Sequence, residues 1–200
     1  CPINVTDGCA KLLNNFGSEA LKAKYLDGLT QTDMSRLTQG GQFMTEKEGG
    51  SDVGTLTTRA VQEGDHWRLY GEKWFCSNAD AKVVMLLARP EGAGPGTKGV
   101  GLFLMPRFLD DGSPNHYRIV RLKDKLGTRS MASGEIKFDG AIAYAVGKLD
   151  RGFVQMAEMV NSSRLSNGVK STALMRRAWH DAITVARGRV VFGQRIIDLP

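Results

Sequence analysis

The hydrophobic periodicity of this chain changes twice along its length, and that pattern restricts the possible folds more than any other feature. Residues 1–40 place apolar side chains at three- and four-residue spacing, which is typical of amphipathic helices. Residues 43–146 are short β-prone runs separated by Gly, Pro, Asn and Asp. The helical period returns from residue 151. The sequence therefore predicts a helical segment, a β module and a second helical segment.

This order of elements favours an α+β fold. We expect a helical N-terminal segment, a central antiparallel β-barrel or sandwich, and the start of a C-terminal helical bundle. The predicted domains are residues 1–40, 41–148 and 149–200.

Several boundaries are predicted from individual residues. Gly17-Ser18-Glu19 should end one helix and cap the next. Gly64-Asp65 and Gly71-Glu72 are candidate hairpin or bulge points. Asn161-Ser162-Ser163 should interrupt the last apolar face, so that Ser171 opens a new helix, and Phe192-Gly193-Gln194 is interpreted as a helix end or kink. The predicted strands are residues 57–62, 66–70, 74–77, 82–89, 100–105, 116–122 and 135–138.

The stretch 42–58 carries the densest chemistry of the chain. Its centre is Met44-Thr45-Glu46-x-x-Gly49-Gly50-Ser51-Asp52. Paired glycines let main-chain amides turn toward a ligand, and Thr45 and Ser51 add hydroxyl groups. Such a loop suits a flat polar ring or a phosphate. An ordinary Gly-Ser-Asp turn would have the same composition, so both interpretations stand at this point.

Composition limits the other classes. The net charge of +6 comes from dispersed basic residues, so nucleic-acid binding is open but not indicated. Cys1, Cys9 and Cys76 have no C-x-x-C spacing, which predicts free thiols in a reducing, cytoplasmic compartment and no metal site. No apolar run of about 18 residues is present, so no membrane span is expected. Because the chain begins with Cys1 rather than Met, we expect a fragment.

One glycine pattern invites a dinucleotide interpretation. Residues 94–99 match G-x-G-x-x-G after a predicted strand. A pyrophosphate site of that kind needs a helix N-terminus directly after the glycines. Residues 100–105 are instead a predicted strand. We therefore interpret this segment as a hairpin tip.

Four separated motifs, taken together, resemble those of the acyl-CoA dehydrogenase family, in the family's order. They are Met44 to Asp52, Gly71-Glu72-Lys73-Trp74-Phe75-Cys76-Ser77-Asn78, Lys125-Leu126-Gly127-Thr128-Arg129-Ser130, and Arg189-x-x-Phe192-Gly193. Met-Thr-Glu-Lys at residues 44–47 and residues 121–127 look most like the branch that contains the AidB alkylation-response flavoproteins. The family fold is a helical domain, a β-barrel and a helical bundle, which agrees with the order of elements predicted above.

The resemblance implies a bound FAD. Thr45 and the main chain of Met44 would lie at the polar edge of the flavin, Phe75 would pack on its ring, and Ser77 would keep a family hydroxyl. Ser51 would lie near the pyrophosphate or the acyl-CoA thioester, and Arg164 near the acyl-CoA. Taken alone, Phe75 on a strand would more simply be a core residue, and Trp74 is expected to face the other way as a packing residue. The implied FAD-binding residues are Met44, Thr45, Gly50, Ser51, Phe75, Cys76, Ser77, Arg189 and Phe192.

Arg189 and Phe192 would contact the FAD of a neighbouring subunit, which implies a homodimer or homotetramer. The family reaction removes the proton α to a thioester carbonyl while the β hydride moves to flavin N5, and it needs a carboxylate base. In isovaleryl-type relatives this base lies where Ser163 stands here, and Glu158 is expected to face elsewhere. The base is therefore unknown and expected beyond Pro200.

Three hypotheses follow. The first is an FAD-dependent acyl-CoA dehydrogenase that passes electrons to an acceptor such as an electron-transfer flavoprotein. The alternative is an AidB-like flavoprotein that binds DNA in the alkylation response and has weak or no dehydrogenase activity, and the third is a flavin-free structural relative. The cations available for DNA are Lys123, Lys125, Arg129, Arg176 and Arg177. The first hypothesis requires Thr45 and Ser77 to share one surface.

Overall fold

The computed structural model describes residues 2–200, and Cys1 lies outside the described residues. The chain divides into two compact units, Cys1–Ser162 and Ser163–Pro200. The domain boundaries set at residues 40 and 148 stay predictions.

The first unit begins with two helices, α1 (Pro2–Phe16) and α2 (Glu19–Leu29). The side chain of Ser18 accepts a hydrogen bond from the main-chain N–H of Leu21 at 3.3 Å, which satisfies one of the free amides of the first turn of α2. The two predicted helices and the predicted cap are confirmed.

Seven strands follow in one sheet, with the order β1-β3-β2-β4-β5-β7-β6 and additional pairings β1–β4 and β3–β7. β1 and β2 both run parallel to β4, and the other pairings are antiparallel. The expected antiparallel barrel or sandwich is thus corrected to one mixed sheet. The strands are β1 (Gly40–Thr45), β2 (Arg59–Glu63), β3 (His66–Ser77), β4 (Val83–Pro90), β5 (Gly101–Pro106), β6 (Tyr117–Leu122) and β7 (Ser133–Ala145).

The two candidate turn points behave differently. Gly64-Asp65 joins β2 to β3 as a two-residue hairpin, with Gly64 at a φ of +61°. At Gly71 the chain does not turn, and the predicted strands 66–70 and 74–77 form one continuous strand, β3. A Cβ at Gly71 would come within 2.9 Å of the Thr58 Cα. This glycine therefore allows a close approach by the neighbouring chain.

Both faces of β4 are buried, because its residues alternate between two apolar clusters. Val83, Met85 and Leu87 belong to a cluster with residues of α1, and Val84 and Leu86 belong to a second cluster. Phe43 of β1 and Cys76 of β3 also lie in the second cluster. Their neighbours along β1 and β3 therefore face the other way.

A single helix, α3 (Gly152–Gly188), runs from the first unit into the second. The break predicted at residues 161–163 is wrong, because α3 continues through them, and serine hydroxyls along it find acceptors one turn earlier. The Ser162 hydroxyl donates to the Glu158 carbonyl at 3.1 Å, and the Ser171 hydroxyl to the Asn167 carbonyl at 2.9 Å. Ser171, the predicted start of a new helix, lies inside α3.

The second unit, described by itself, holds the C-terminal part of α3 and a short hairpin. The hairpin strands are β8 (Val190–Val191) and β9 (Gln194–Arg195). Phe192 and Gly193 form its turn with φ values of +50° and +76°. The expected helix end or kink at 192–194 is thus a hairpin turn, and the described residues of this unit do not form a helical bundle.

Candidate functional site

The pairing of β1 with β3 brings together the two strand segments that sequence singled out. In this antiparallel pair, Thr45 lies opposite Phe75 and Gln42 opposite Ser77, and the register shifts at Met44. Paired residues point to the same face, and so do alternate residues along one strand. Thr45, Phe75 and Ser77 therefore share one face of the sheet.

This shared surface combines an apolar ring with free hydroxyl groups. Phe75 is 52% exposed, which is unusual for a strand phenylalanine. Thr45 and Ser77 are half-buried, and among residues 2–200 their hydroxyls have no hydrogen-bond partner. Such groups remain available to a ligand that presents a flat apolar face and a polar edge.

The other two predicted residues on these strands point elsewhere. Cys76 is fully buried in the core, and burial raises the pKa of its thiol. The side chain of Met44 is half-buried and packs against the helix-side cluster. A ligand on the shared surface would therefore meet both residues only through their main chain.

The loop that follows β1 is open on one side. Gly50 and Ser51 are exposed, and a Cβ at Gly50 would lie 3.7 Å from the Thr45 methyl carbon. Among the described residues, the amides of Gly50 and Ser51 have no acceptor. Asp52, in contrast, accepts from the Gly54 N–H at 2.9 Å. The two interpretations of this stretch thus apply to different residues, because Asp52 makes a turn while Gly50 and Ser51 stay free.

The base of the same loop is tied by the buried carboxylate of Glu46, which is 3% exposed. One oxygen accepts from the N–H and hydroxyl of Thr57 at 2.6 and 2.9 Å. The other accepts from the N–H and hydroxyl of Thr58 at 3.1 and 2.5 Å, and from the Lys73 ammonium at 2.7 Å. Glu46 therefore joins the end of β1, the start of β2 and the middle of β3.

Lys73 completes this network from β3. Its side chain is fully buried, and its ammonium also donates to the Met44 carbonyl at 3.2 Å. Burial alone would raise the pKa of Glu46, but the Lys73 charge and the donated hydrogen bonds outweigh it and lower that pKa to about 2. Burial lowers the pKa of Lys73, and Glu46 opposes that change.

Sequence analysis did not single out Glu46 or Lys73 as functional residues, although both lie inside the resembling motifs. They are 27 positions apart, so only the pairing of the strands shows that they meet. The available signal was a charged residue, Lys73, inside a predicted β-prone motif, together with Glu46 directly after another apolar run.

Cations surround Trp74 beside the shared surface. The ammonium of Lys123 lies 3.1 Å from the Trp74 ring centroid and 4.4 Å from that of Phe75. Lys47 and Arg121 also lie over Trp74, at 4.6 and 5.7 Å. Trp74 lines a cleft of about 490 Å³, with charged residues of both signs. This tryptophan is therefore a cation-binding ring, and it belongs to neither of the two apolar clusters.

The second glycine-rich loop, residues 94–99, closes on an arginine. The Arg89 guanidinium donates to the carbonyls of Gly94, Gly96 at 3.4 Å and Gly99 at 3.3 Å, and also to that of Gly54 at 2.6 Å. The loop connects β4 to β5, as the hairpin interpretation requires. Its carbonyls converge on a cation, whereas a phosphate site would present amides to an anion.

The remaining predicted residues lie in the second unit. Arg164 is exposed on α3, and Phe192 is 96% exposed at the hairpin tip. Arg189 follows α3 and is exposed, and its carbonyl accepts from the Ile196 N–H at 3.0 Å. In the first unit, Glu158 accepts from Asn15 at 3.0 Å and so faces α1.

Within residues 2–200, no group of three or more His, Cys, Asp or Glu side chains is placed to hold a metal ion. None of the helices in this part of the chain has both the length and the apolar character needed to cross a membrane.

Comparison with known proteins gives a consistent result. Residues 41–141 match the family model described as acyl-CoA dehydrogenase, middle domain. The chain is 42% identical to acyl-CoA dehydrogenase family member 11 of Caenorhabditis elegans over 97% of its length, and 38% identical to AidB of Escherichia coli strain K12 over 100%. The crystal structure of Caenorhabditis elegans ACDH-11 in complex with C11-CoA matches the whole chain with a TM-score of 0.88 and 41% identity.

These matches cover only part of each relative. The chain spans 33% of the first curated relative, 38% of the second and 35% of the ACDH-11 structure. Similarity therefore extends through the whole of this chain and about a third of each matched protein.

Proposed function

Because the chain belongs to the acyl-CoA dehydrogenase family, we propose that the protein oxidises acyl-CoA thioesters with FAD as its cofactor. FAD would supply the hydride acceptor for the β carbon, while a base removes the α proton. The part of this activity that the present chain would carry is cofactor binding.

The observation that carries the proposal is the surface shared by Thr45, Phe75 and Ser77. A flavin ring has an apolar face and a polar pyrimidine edge that gains negative charge on reduction. The exposed Phe75 ring fits the face, and the free hydroxyls fit the edge. The ammonium of Lys123 lies 4.4 Å from the centroid of the Phe75 ring, and it is paired with Glu135 at 2.7 Å.

Each predicted residue then has a defined role in the proposal. The Thr45 hydroxyl and the Met44 main chain would bind the polar edge, and Ser77 would add its hydroxyl. Gly50 and Ser51 would offer their free amides to the pyrophosphate or the thioester. Cys76 would contribute main-chain groups only, since its side chain is in the core.

The roles of the second unit rest on the family resemblance alone. Arg189 and Phe192 would contact the FAD of a neighbouring subunit in a homodimer or homotetramer, and Arg164 would contact the acyl-CoA. The high exposure of Phe192 is compatible with such a contact. An electron-transfer flavoprotein as acceptor and a cytoplasmic location also stay predictions.

These 200 residues do not offer a base at the expected position. Ser163 stands there, and a hydroxyl is too weak a base for this step. Glu158 is bound to Asn15. We therefore assign proton abstraction to a carboxylate outside residues 1–200.

A titration of the full-length protein with FAD tests the proposal. We expect bound FAD, loss of flavin absorbance on adding at least one of a panel of acyl-CoAs, and an FAD dissociation constant raised about five-fold in Thr45→Val, since one hydrogen bond is lost. Thr32→Val, in which an exposed threonine without a hydrogen-bond partner among the described residues is changed, should leave that constant unaltered. A protein that binds no FAD, or whose flavin no acyl-CoA reduces, would contradict the proposal.

The DNA-binding alternative is not favoured by the structure. Of the cations proposed for it, Lys123 is paired with Glu135 at 2.7 Å. The ammonium of Lys125 is bound to the carbonyls of Thr128 and Met131 and to the Ser133 hydroxyl. These two lysines are thus engaged within the protein, and we do not propose a nucleic-acid partner.

A further inference from the structure

We propose that Glu46 and Lys73 are positioning residues, which hold the segment from Thr45 to Ser51 in its FAD-binding conformation before the cofactor arrives. This inference rests on the proposed function, because it concerns the same surface. Neither side chain reaches that surface, since Glu46 is 3% exposed and the Lys73 side chain is fully buried.

Glu46 and Lys73 make contacts on both sides of Thr45 in the sequence. Glu46 directly follows Thr45, and Met44 directly precedes Thr45. The ammonium of Lys73 donates to the carbonyl of Met44. Thr45 is therefore held on both sides by contacts to one ammonium group. Because β1 is bulged at Met44, the regular strand pairing alone does not fix this segment.

Hydrogen bonds to Glu46 join the two ends of the loop after β1. Glu46 lies at its start, and Thr57 and Thr58 lie at its end, where both donate to the Glu46 carboxylate. The intervening residues 47–56 contain the glycine pair and the free amides. Tying both ends of such a loop removes conformations that binding would otherwise have to remove, and so raises affinity without a new ligand contact.

The hydrogen-bond network of Glu46 lies directly against β3. Thr58, which donates to Glu46, packs directly on Gly71 of β3, where a Cβ would meet the Thr58 Cα at 2.9 Å. Gly71 and Lys73 are alternate residues of one strand, so both act on the same side of β3. The network therefore fixes the distance between the loop end and the strand that carries Phe75.

Glu46 and Lys73 form a buried ion pair. A buried ion pair gives little net stability compared with apolar residues of the same volume, because both ions lose their hydration. Its directional contacts, in contrast, specify one geometry. Five donors converge on Glu46 here, and together they fix the position of its carboxylate between the end of β1, the start of β2 and β3.

The test compares Glu46→Gln, Lys73→Met and the double variant in the full-length protein. For each we would measure the FAD dissociation constant per folded molecule, the unfolding free energy, and hydrogen exchange of the Thr57 and Thr58 amides. The control is Asn115→Ala, because Asn115 is also buried and joins Pro106, Ile142 and His116 through four hydrogen bonds outside the site.

We expect the FAD dissociation constant to rise at least ten-fold in all three variants, with faster exchange at Thr57 and Thr58. The control should lose stability but change the dissociation constant less than two-fold. The double variant leaves no buried charge at either position, so it should regain stability relative to the single variants while its FAD affinity stays low. It also keeps the test valid if a single variant fails to fold.

The possible outcomes separate the two proposals. Wild-type protein without FAD affinity would contradict the proposed function, and the positioning role with it. Wild-type affinity retained in the folded double variant would overturn only the positioning role. An equal loss of affinity in Asn115→Ala would also overturn it, because the effect would then follow stability alone.

Discussion

The two glycine-rich loops of this chain are held by opposite charges. The loop after β1 is tied by the carboxylate of Glu46, which accepts from main-chain amides at its far end. The loop between β4 and β5 is tied by the guanidinium of Arg89, which donates to main-chain carbonyls. Glu46 binds amides only at the end of its loop and leaves those of Gly50 and Ser51 without an acceptor among the described residues, whereas Arg89 binds carbonyls along residues 94–99.

This difference explains why a glycine pattern does not by itself define a site. The residues 94–99 match a dinucleotide pattern, yet their carbonyls point to a cation. The amides of Gly50 and Ser51 do not belong to that pattern, yet among the described residues they remain without an acceptor. What a loop can bind depends on the polar groups that its own anchor leaves free.

The charged residues that hold the two loops should differ most in their contribution to protein stability. Glu46 and Lys73 are buried, whereas Arg89 is only half-buried. Lys73→Met leaves the Glu46 carboxylate buried without its cation, and we expect a loss of about 3 to 5 kcal/mol in the free energy of unfolding. Arg89→Met should cost only about 1 to 3 kcal/mol, since Arg89 is half-buried and water can replace it at the carbonyls. Denaturant unfolding of both variants measures the difference.

Equal losses in the two variants would show that the burial of the charge does not decide the cost. A larger loss in Arg89→Met would reverse the comparison. Arg195→Met is a useful reference, because its exposed pair with Asp198 in the second unit should contribute less than about 1 kcal/mol.

The two anchors should also differ in acid. The pKa of Glu46 is lowered from 4.5 to about 2 in the folded protein, so its contribution to stability is fully present above about pH 4.5 and is lost as the pH falls toward 2. That shift corresponds to roughly 3 kcal/mol. The hydrogen bonds of the β4–β5 loop do not involve a carboxylate. Acid should therefore release the loop after β1 and leave the β4–β5 loop tied.

The measurement is the free energy of unfolding between pH 6 and pH 2, compared between wild-type protein and Glu46→Gln. The difference between the two should shrink as the pH falls, because only the wild-type loses the Glu46 contribution. A difference that stays constant with pH would contradict the assignment. Subtracting the variant removes the effect of other carboxylates with lowered pKa values, namely Asp33, Glu63, Asp65, Asp111 and Glu135.

Local signals were sufficient for much of the fold. Ser18 capped α2 as predicted, and Gly64-Asp65 formed the predicted hairpin, because each depends on residues close in sequence. Gly71 misled for the opposite reason, since it accommodates the close approach of Thr58, which precedes β2 and is distant in sequence. The polar residues around Ser162 misled because a serine inside a helix can satisfy its hydroxyl at the preceding turn, so its presence does not require a break.

The candidate site was predictable only in part for the same reason. Thr45 and Ser77 lie in recognisable motifs, and the pairing of β1 with β3 places them on one face. The mixed direction of the sheet and the meeting of Glu46 with Lys73 depend on strand order, which no local pattern encodes. Burial of Cys76 follows from strand alternation, but only once the register is known.

The smallest effect on stability should come from a glycine in the site itself. Gly96 has a φ of +73°, so Gly96→Ala should cost about 1 to 2 kcal/mol although nothing lies within 4 Å of the new methyl group. Gly50 has no such φ and meets only the Thr45 methyl carbon at 3.7 Å, so Gly50→Ala should change stability by less than about 0.5 kcal/mol. Yet the new methyl group would stand beside Thr45, on the surface proposed for FAD. We therefore expect Gly50→Ala to weaken FAD binding several-fold and Gly96→Ala to leave it unchanged, as measured by FAD titration of folded protein. If the two variants lost affinity in proportion to their stability, the two loops would not differ in function, and the distinction drawn from their anchors would be wrong.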